Sequence, residues 1–218
     1  MKFSQTEENY LKAIFHLGME GRKVSTSELA QQLSSQPASI TDMMKKLSAK
    51  GLLDYQPYYG FSLSPEGRKA ALDVVRRHRL WEYFLSEKLG FGWNEVHAVA
   101  EELEHVGSKK LIDKLDEYLG FPHFDPHGDP IPDKKGRMKP FSALELTDLP
   151  LRQPALVTGI RDQSPELLDY LQGLNIAIGT QVSVTRRNSF DELLQLKVAT
   201  TSCTLSMKLA KHLLVKKI

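Results

Sequence analysis

The chain has 218 residues, enough for one large domain or two small ones with a real hydrophobic core. It is 41% hydrophobic and 26% charged, and its only cysteine is Cys203, which excludes a disulfide framework or a thiolate zinc site within one chain. Net charge is only +2, yet residues 1–86 carry 12 Lys/Arg against 9 Asp/Glu, residues 87–120 carry 4 against 8, and residues 151–218 carry 9 against 5. An acidic centre between basic ends suits a cation in the middle and a polyanion at the start, although scattered solvated charge gives the same counts. The opening MKFSQTEENY has no signal-peptide pattern and no segment reaches membrane-spanning length, so a cytoplasmic protein with no membrane partner is expected.

Residues 5–19 predict a first helix, with Tyr10, Ile14 and Leu17 along one side and Thr6 as its cap. Ser25 followed by Glu28 is the pattern of a capping box, and it opens a short second helix buried through Ala30 and Leu33. Pro37 suits the first turn of a third helix that stops at Gly51. Two short helices joined by a tight turn make a helix-turn-helix. LLDYQPYYGFSLS then predicts two short strands around a Tyr-Tyr-Gly turn, and helix-turn-helix plus hairpin is a winged helix. A generic three-helix core with an idle hairpin has the same elements. DNA reading is favoured because short polar side chains stand where base contacts are needed.

The expected base readers are Gln36, Ser39, Thr41 and Asp42 at the start of the third helix. Lys45 and Lys46 suit phosphates, as do Thr6, Thr26, Ser27 and Ser35 by position. Tyr58 and Tyr59 at the wing tip either touch the DNA backbone or pack the hairpin.

Ser64-Pro65-Glu66 opens a long helix to Leu89, with His78 and Glu82 four apart on one face. HAVAEELEH, residues 97–105, follows Gly90 and Gly92 and is expected to continue as helix to about Leu119. With about 100° per residue, His97, Glu101, Glu104 and His105 share roughly a third of a turn, while Val96, Val99, Leu103 and Val106 face the other way. Glu102 falls outside the polar arc. Imidazole and carboxylate without thiolate suit divalent first-row metals, and six such groups on two neighbouring helices are hard to read as solvated faces. Residues 120–150 are proline-rich and aperiodic, which predicts a linker in which His123 and His127 are turn or surface residues. ALVTGI, QVSVTRR, ELLQLKVAT and HLLVKKI then read as strands of a small β-barrel, with SPELLDYLQGL a short helix capped at Ser164. There is no HExxH, G-x-S-x-G or phosphate loop, so no enzyme is expected.

A winged helix, H-x3-E, H-x3-E-x2-E-H, DPHGDPIP and a small barrel, in that order, resemble the diphtheria-toxin-repressor family of metal-dependent transcriptional regulators. TEENYLKAI, RRHRLWEYFL and EHV carry the resemblance with DPHGDPIP, and the barrel matches least. It implies a mainly α fold with small β in four parts. These are a winged helix-turn-helix DNA-binding domain (1–64), a helical metal-binding and dimerisation domain (65–121), a linker (122–150) and an SH3-like, FeoA-like domain (151–218). It implies a homodimer that binds a palindromic operator on double-stranded DNA and represses metal-uptake genes when loaded with Mn²⁺ or Fe²⁺.

By resemblance, Asn9, Glu101, Glu104 and His105 form a primary metal site, and His78, Glu82 and His97 an ancillary one. Ser164, Glu166 and Asp169 stand where the barrel lends ancillary ligands. Iron-responsive members carry cysteine where this chain has Glu101, so the harder oxygen favours Mn²⁺. Lys12 stands where some members have a second glutamate, and a protonated lysine cannot ligate. A metal-independent winged-helix regulator sensing a small molecule, or a metalloenzyme with an accessory barrel, remain the alternatives.

Overall fold

The computed structural model describes residues 3–56, 60–106, 108–140 and 142–218; the wing-tip pair Tyr58 and Tyr59 lies outside them. The chain divides into two compact units. One comprises the chain up to His78 with Glu102–Lys109 and Pro132–Arg137; the other comprises Arg79–Glu101, Lys110–Ile131 and Met138–Ile218.

The first unit is built on α1 (Gln5–Leu17), α2 (Thr26–Gln32), α3 (Pro37–Ala49), β1 (Leu53–Gln56), β2 (Gly60–Leu63) and the first half of α4 (Pro65–Leu89). Ser4, not Thr6, caps α1. Its hydroxyl accepts from Glu7 N, and the Glu7 carboxylate accepts from Ser4 N, so two otherwise orphaned donors are satisfied reciprocally. The expected capping box of Ser25 and Glu28 opens α2, and Pro37 takes the first turn of α3. β1 and β2 pair antiparallel from Leu53↔Leu63 to Gln56↔Gly60, and a bridge from Phe61 to Val24 ties the wing to the segment before α2. Gly60 is required there. Its φ is +96°, and a Cβ would sit 2.4 Å from Val24 O. Leu11, Ile14, Leu29, Ile40 and Leu47 are fully buried, each contributing about 1.5–3 kcal/mol of transfer free energy. This unit is a winged helix-turn-helix.

The second unit holds the rest of α4, most of α5 (Val96–Leu103) and α6 (Lys109–Tyr118), and the C-terminal sheet. The expected continuous helix from 97 to 119 is interrupted: α5 ends at Leu103, and Glu104 and His105 form a turn. The apolar face of α5 is correspondingly shorter than expected. Val96 and Ala100 are buried, Val99 and Leu103 half-buried, and Val106 exposed. Ile112 and Leu115 of α6 pack with Leu80 and Ile131.

The sheet is antiparallel, with strand order β3-β8-β4-β5-β6-β7. Its strands are β3 (Leu144–Glu145), β4 (Ala155–Ile160), β5 (Gln181–Asn188), β6 (Leu193–Val198), β7 (Thr201–Ser206) and β8 (Leu213–Lys217). β4, β5, β6 and β8 are the expected strands; β3, β7 and the short α8 (Met207–Ala210) were not. α7 (Pro165–Gly173) starts after Ser164 with Pro165 in its first turn, as expected. Leu168 and Leu171 bury α7 on the same core as Val157, Val184, Leu196 and Leu213. Among the described residues, no helix is long and apolar enough to cross a membrane.

Candidate metal centres and nucleic-acid face

The first unit gathers Glu8, Asn9 and Lys12 from α1, His78 from α4, and Glu104 and His105 from the turn after α5. The break in the helix matters here: it turns Glu104 inward to complete burial and leaves His105 beside α1. His105 Nδ1 lies 2.7 Å from Glu8 Oε2, and Glu8 Oε1 accepts from Arg77 at 2.7 Å. An imidazole that gives its Nδ1 proton to a carboxylate presents Nε2 as a lone pair, the arrangement common to metal-binding histidines. His105 Nε2 stands 3.7 Å from Glu104 Oε1. Glu104 Oε1 and Asn9 Oδ1 are both buried and have no hydrogen-bond partner among the described residues. Orphaned buried acceptors are costly, on the order of 1–3 kcal/mol each.

The opposite oxygen, Glu104 Oε2, takes Lys12 Nζ at 2.7 Å and His78 Nδ1 at 2.6 Å. Burial works against the charge on Glu104, but His78 and Lys12 outweigh it and hold the carboxyl below its ordinary range. Two acceptor oxygens and one imidazole nitrogen without a proton fit a divalent cation of hard to borderline character. His78, expected with the ancillary set, is thus bonded in this unit to Glu104.

Glu82, His97 and Glu101 belong to the second unit. His97 Nδ1 is 3.1 Å from Glu82 Oε1, and its Nε2 is 3.5 Å from Glu101 Oε1. The larger surprise is in the proline-rich stretch. Asp125, His127 and Glu82 bring ligand-capable atoms within 4.8 Å of one another, all three buried. Asp125 is fixed by a tight turn in which its Oδ1 accepts from His127 N and Asp129 N, both at 2.9 Å. His127 Nε2 donates to Trp93 O at 2.7 Å, while its Nδ1, 3.8 Å from Glu82 Oε1, has no hydrogen-bond partner among the described residues. Burial and the charge of Glu82 push Asp125 up. Burial alone would lower His127, but Glu82 and Asp125 overcome it and raise the imidazole to about 9. Two buried acids that repel one another, with His127 Nδ1 aimed toward them, mark a place that a divalent cation would satisfy by displacing the proton that the acids hold on the imidazole.

The three residues expected as barrel ligands are placed around the start of α7. Ser164 precedes α7, and its N donates to Asp162; Glu166 is exposed in the first turn of α7; Asp169 accepts from Asn94 at 2.5 Å. Sequence reasoning missed Asp125 and His127. The signal present was an Asp-x-His inside a turn-forming Pro/Gly segment, which predicts local rigidity rather than slack. Glu102 is exposed, as the wheel placed it.

On the winged helix, Gln36 is the N-cap residue of α3 and, like Ser39, Thr41 and Asp42, is exposed. The Thr41 hydroxyl donates back to Pro37 O at 3.0 Å. Lys45 is exposed and 3.7 Å from Asp42, whereas Lys46 lies 3.1 Å from the buried Glu7. Thr6 and Ser27 are exposed, Thr26 and Ser35 half-buried, and the Ser35 hydroxyl donates to Leu33 O.

Family comparison matches residues 2–61 to the N-terminal DNA-binding domain of iron-dependent repressors and 64–133 to their metal-binding and dimerisation domain. Residues 144–217 match the FeoA domain. The diphtheria toxin repressor of Corynebacterium glutamicum is 30% identical over 190 residues, covering 82% of this chain and 83% of that protein. The chain belongs to the iron-dependent repressor family. It is a metal-dependent DNA-binding transcriptional regulator of that family, with the dimerisation domain its relatives carry. The iron-dependent repressor IdeR of Mycobacterium tuberculosis is 30% identical over 175 residues, or 77% of this chain and 74% of the relative. Among solved structures, a manganese-dependent transcriptional repressor in complex with manganese has a TM-score of 0.89 at 33% identity, covering 97% of this chain and 100% of that one. ScaR with bound Cd²⁺ has a TM-score of 0.83 at 32% identity, covering 97% and 99%.

Proposed function

We propose that this repressor is a homodimer that binds a palindromic operator when loaded with Mn²⁺, with Fe²⁺ as the second ion to test, and so represses metal-uptake genes. The observation that carries the reading is the pair of orphaned buried acceptors, Asn9 Oδ1 and Glu104 Oε1, beside a histidine whose other nitrogen is held by Glu8. Asn9, Glu104 and His105 hold the ion in the first unit. Glu82, Asp125 and His127 hold an ion in the second. His97 Nδ1 steadies Glu82. Oxygen and imidazole donors without a thiolate support Mn²⁺, and the manganese complex of the similar solved structure supports the same ion.

For DNA, Gln36, Ser39, Thr41 and Asp42 read bases, and Lys45, Lys46, Thr6, Thr26, Ser27 and Ser35 meet phosphates. Two recognition helices must reach major grooves about 34 Å apart or a multiple of it. The bound ion ties α1, which carries Asn9, to the turn after α5, which carries Glu104 and His105. Its binding thereby favours the DNA-competent population, and metal and DNA each raise the other's affinity.

A gel shift on DNA upstream of the protein's own gene, with chelator, Mn²⁺ or anaerobic Fe²⁺ at fixed salt, tests this. Binding that requires metal is expected, strongest with Mn²⁺ at matched free concentration. Binding indifferent to metal would return the chain to the small-molecule alternative.

A further inference from the structure

The loop carrying Asp125 and His127 is clamped from the C-terminal sheet at each step. Ile160 N of β4 donates to His127 O at 3.1 Å. Gly128, at φ +88°, lies so close to β4 that a Cβ would fall 2.0 Å from Thr158 O. Gln163 Nε2, just before α7, donates to Asp129 Oδ2 at 3.0 Å.

The imidazole itself is aimed by Trp93, whose carbonyl takes the Nε2 proton and whose ring stacks on His127 at 6.5 Å. That ring packs against the core of the sheet domain. The next residue, Asn94, holds Asp169 of α7. Each of these contacts that directs His127 Nδ1 toward Glu82 and Asp125 is therefore made by, or anchored in, the C-terminal domain.

We propose that the C-terminal sheet domain is the positioning partner of the Glu82–Asp125–His127 cluster, so that its seating and divalent-metal binding at that cluster are thermodynamically coupled. The inference rests on reading the cluster as a metal site. Trp93 is its main positioning residue: it fixes the tautomer and direction of His127 without touching the ion, as outer partners of metal-binding histidines do. Coupling must be reciprocal. If seating aims the ligand, ligand occupancy must tighten the seating.

The test uses the full chain and Mn²⁺ alone, read by calorimetry and by amide hydrogen exchange of β4 and α7. Mn²⁺ is expected to slow that exchange about tenfold or more, and Asp125→Asn is expected to abolish the slowing. Glu104→Ala, which removes the other cluster, should leave it in place. Gly128→Ala, and Asn94→Ala combined with Asp169→Ala, should each weaken Mn²⁺ at this cluster by about tenfold or more. The second pair removes only a surface contact, so it tests the coupling even where Gly128→Ala fails to fold. Unchanged Mn²⁺ affinity in the pair, or slowing that survives Asp125→Asn, would overturn the coupling. If Asp125→Asn leaves both Mn²⁺ stoichiometry and affinity untouched, the cluster is not a metal site and the coupling falls with it. If Asp125→Asn loses the metal while the clamp variants keep it, only the coupling falls.

Discussion

The two histidine–carboxylate clusters solve one problem in opposite ways. His105 gives Nδ1 to the Glu8 carboxylate and presents Nε2, while His127 gives Nε2 to the Trp93 carbonyl and presents Nδ1. In the first cluster the buried carboxylate already has a cation beside it, Lys12 at 2.7 Å from Glu104. In the second, Glu82 and Asp125 are buried together, and the arginine beside Asp125, Arg79 Nε, stands at 3.5 Å. An ammonium bonded directly to the carboxylate lowers the gain from a bound divalent ion, whereas two acids buried side by side, with the guanidinium at longer range and a histidine that can yield its proton, raise it. The first cluster should therefore bind weakly and sense concentration, and the second should stay filled.

The sharpest way to break that contrast is to delete one histidine from each. His105→Ala should lower metal-stimulated operator binding by about a hundredfold or more while circular dichroism and dimer mass stay unchanged, in line with the loss of a ligand that links two elements. His127→Ala should lower it only about tenfold. Equal losses in gel shifts would mean the two clusters act as one.

Next in size is Glu8→Gln, which keeps the shape but weakens the acceptor of His105. Calorimetry should show metal affinity at the first cluster falling about tenfold. Lys12→Met should shift it the other way, tightening metal binding by several-fold, roughly 1 kcal/mol, since a competing charge is removed at constant side-chain length. Weaker binding in that variant would show that Lys12 instead prepares Glu104 for the ion.

The smallest effect concerns the reading head rather than the clusters. The Ser25 N–H and the Arg22 guanidinium hold the Glu28 carboxyl at about 2. Because the folded value is depressed, this cap stabilises α2 fully above about pH 4.5 and is lost as pH falls toward 2. A carboxyl NMR titration should find that low midpoint, and Arg22→Ala should move it up. An unmoved midpoint would leave the N–H and hydroxyl of Ser25, which both donate to the Glu28 carboxylate, as the cause.

These contrasts were unevenly legible in the sequence. Where hydrophobic period and caps agreed, as for α2, α3 and α4, the elements were read correctly, because each signal is local. Ser4 was missed as a cap although S-x-x-E was present at Ser4–Glu7; Thr6 was the wrong choice among neighbouring hydroxyls. The α5 wheel put Glu101, Glu104 and His105 on one arc by assuming an unbroken helix. The turn at Glu104 is set by tertiary burial of its carboxylate, which no periodicity reports. Asp125 and His127 escaped for the same reason: a segment without period was read as slack, whereas Asp125 binds its own backbone and makes it rigid. β7 escaped because TSCTLS is polar on its outer side and buries Leu205.

The bare face of Gly128 against β4 also bears on inheritance. A descendant that discarded the last third of its gene would keep a loop shaped for a neighbour no longer encoded. Trp93 would lose its apolar bed, and Gly128 its reason to be glycine. Such a deletion could persist only alongside changes at residues 93–94 and 125–131. Shortened relatives are therefore expected to have rewritten those two stretches together, and to have left the reading head as it was.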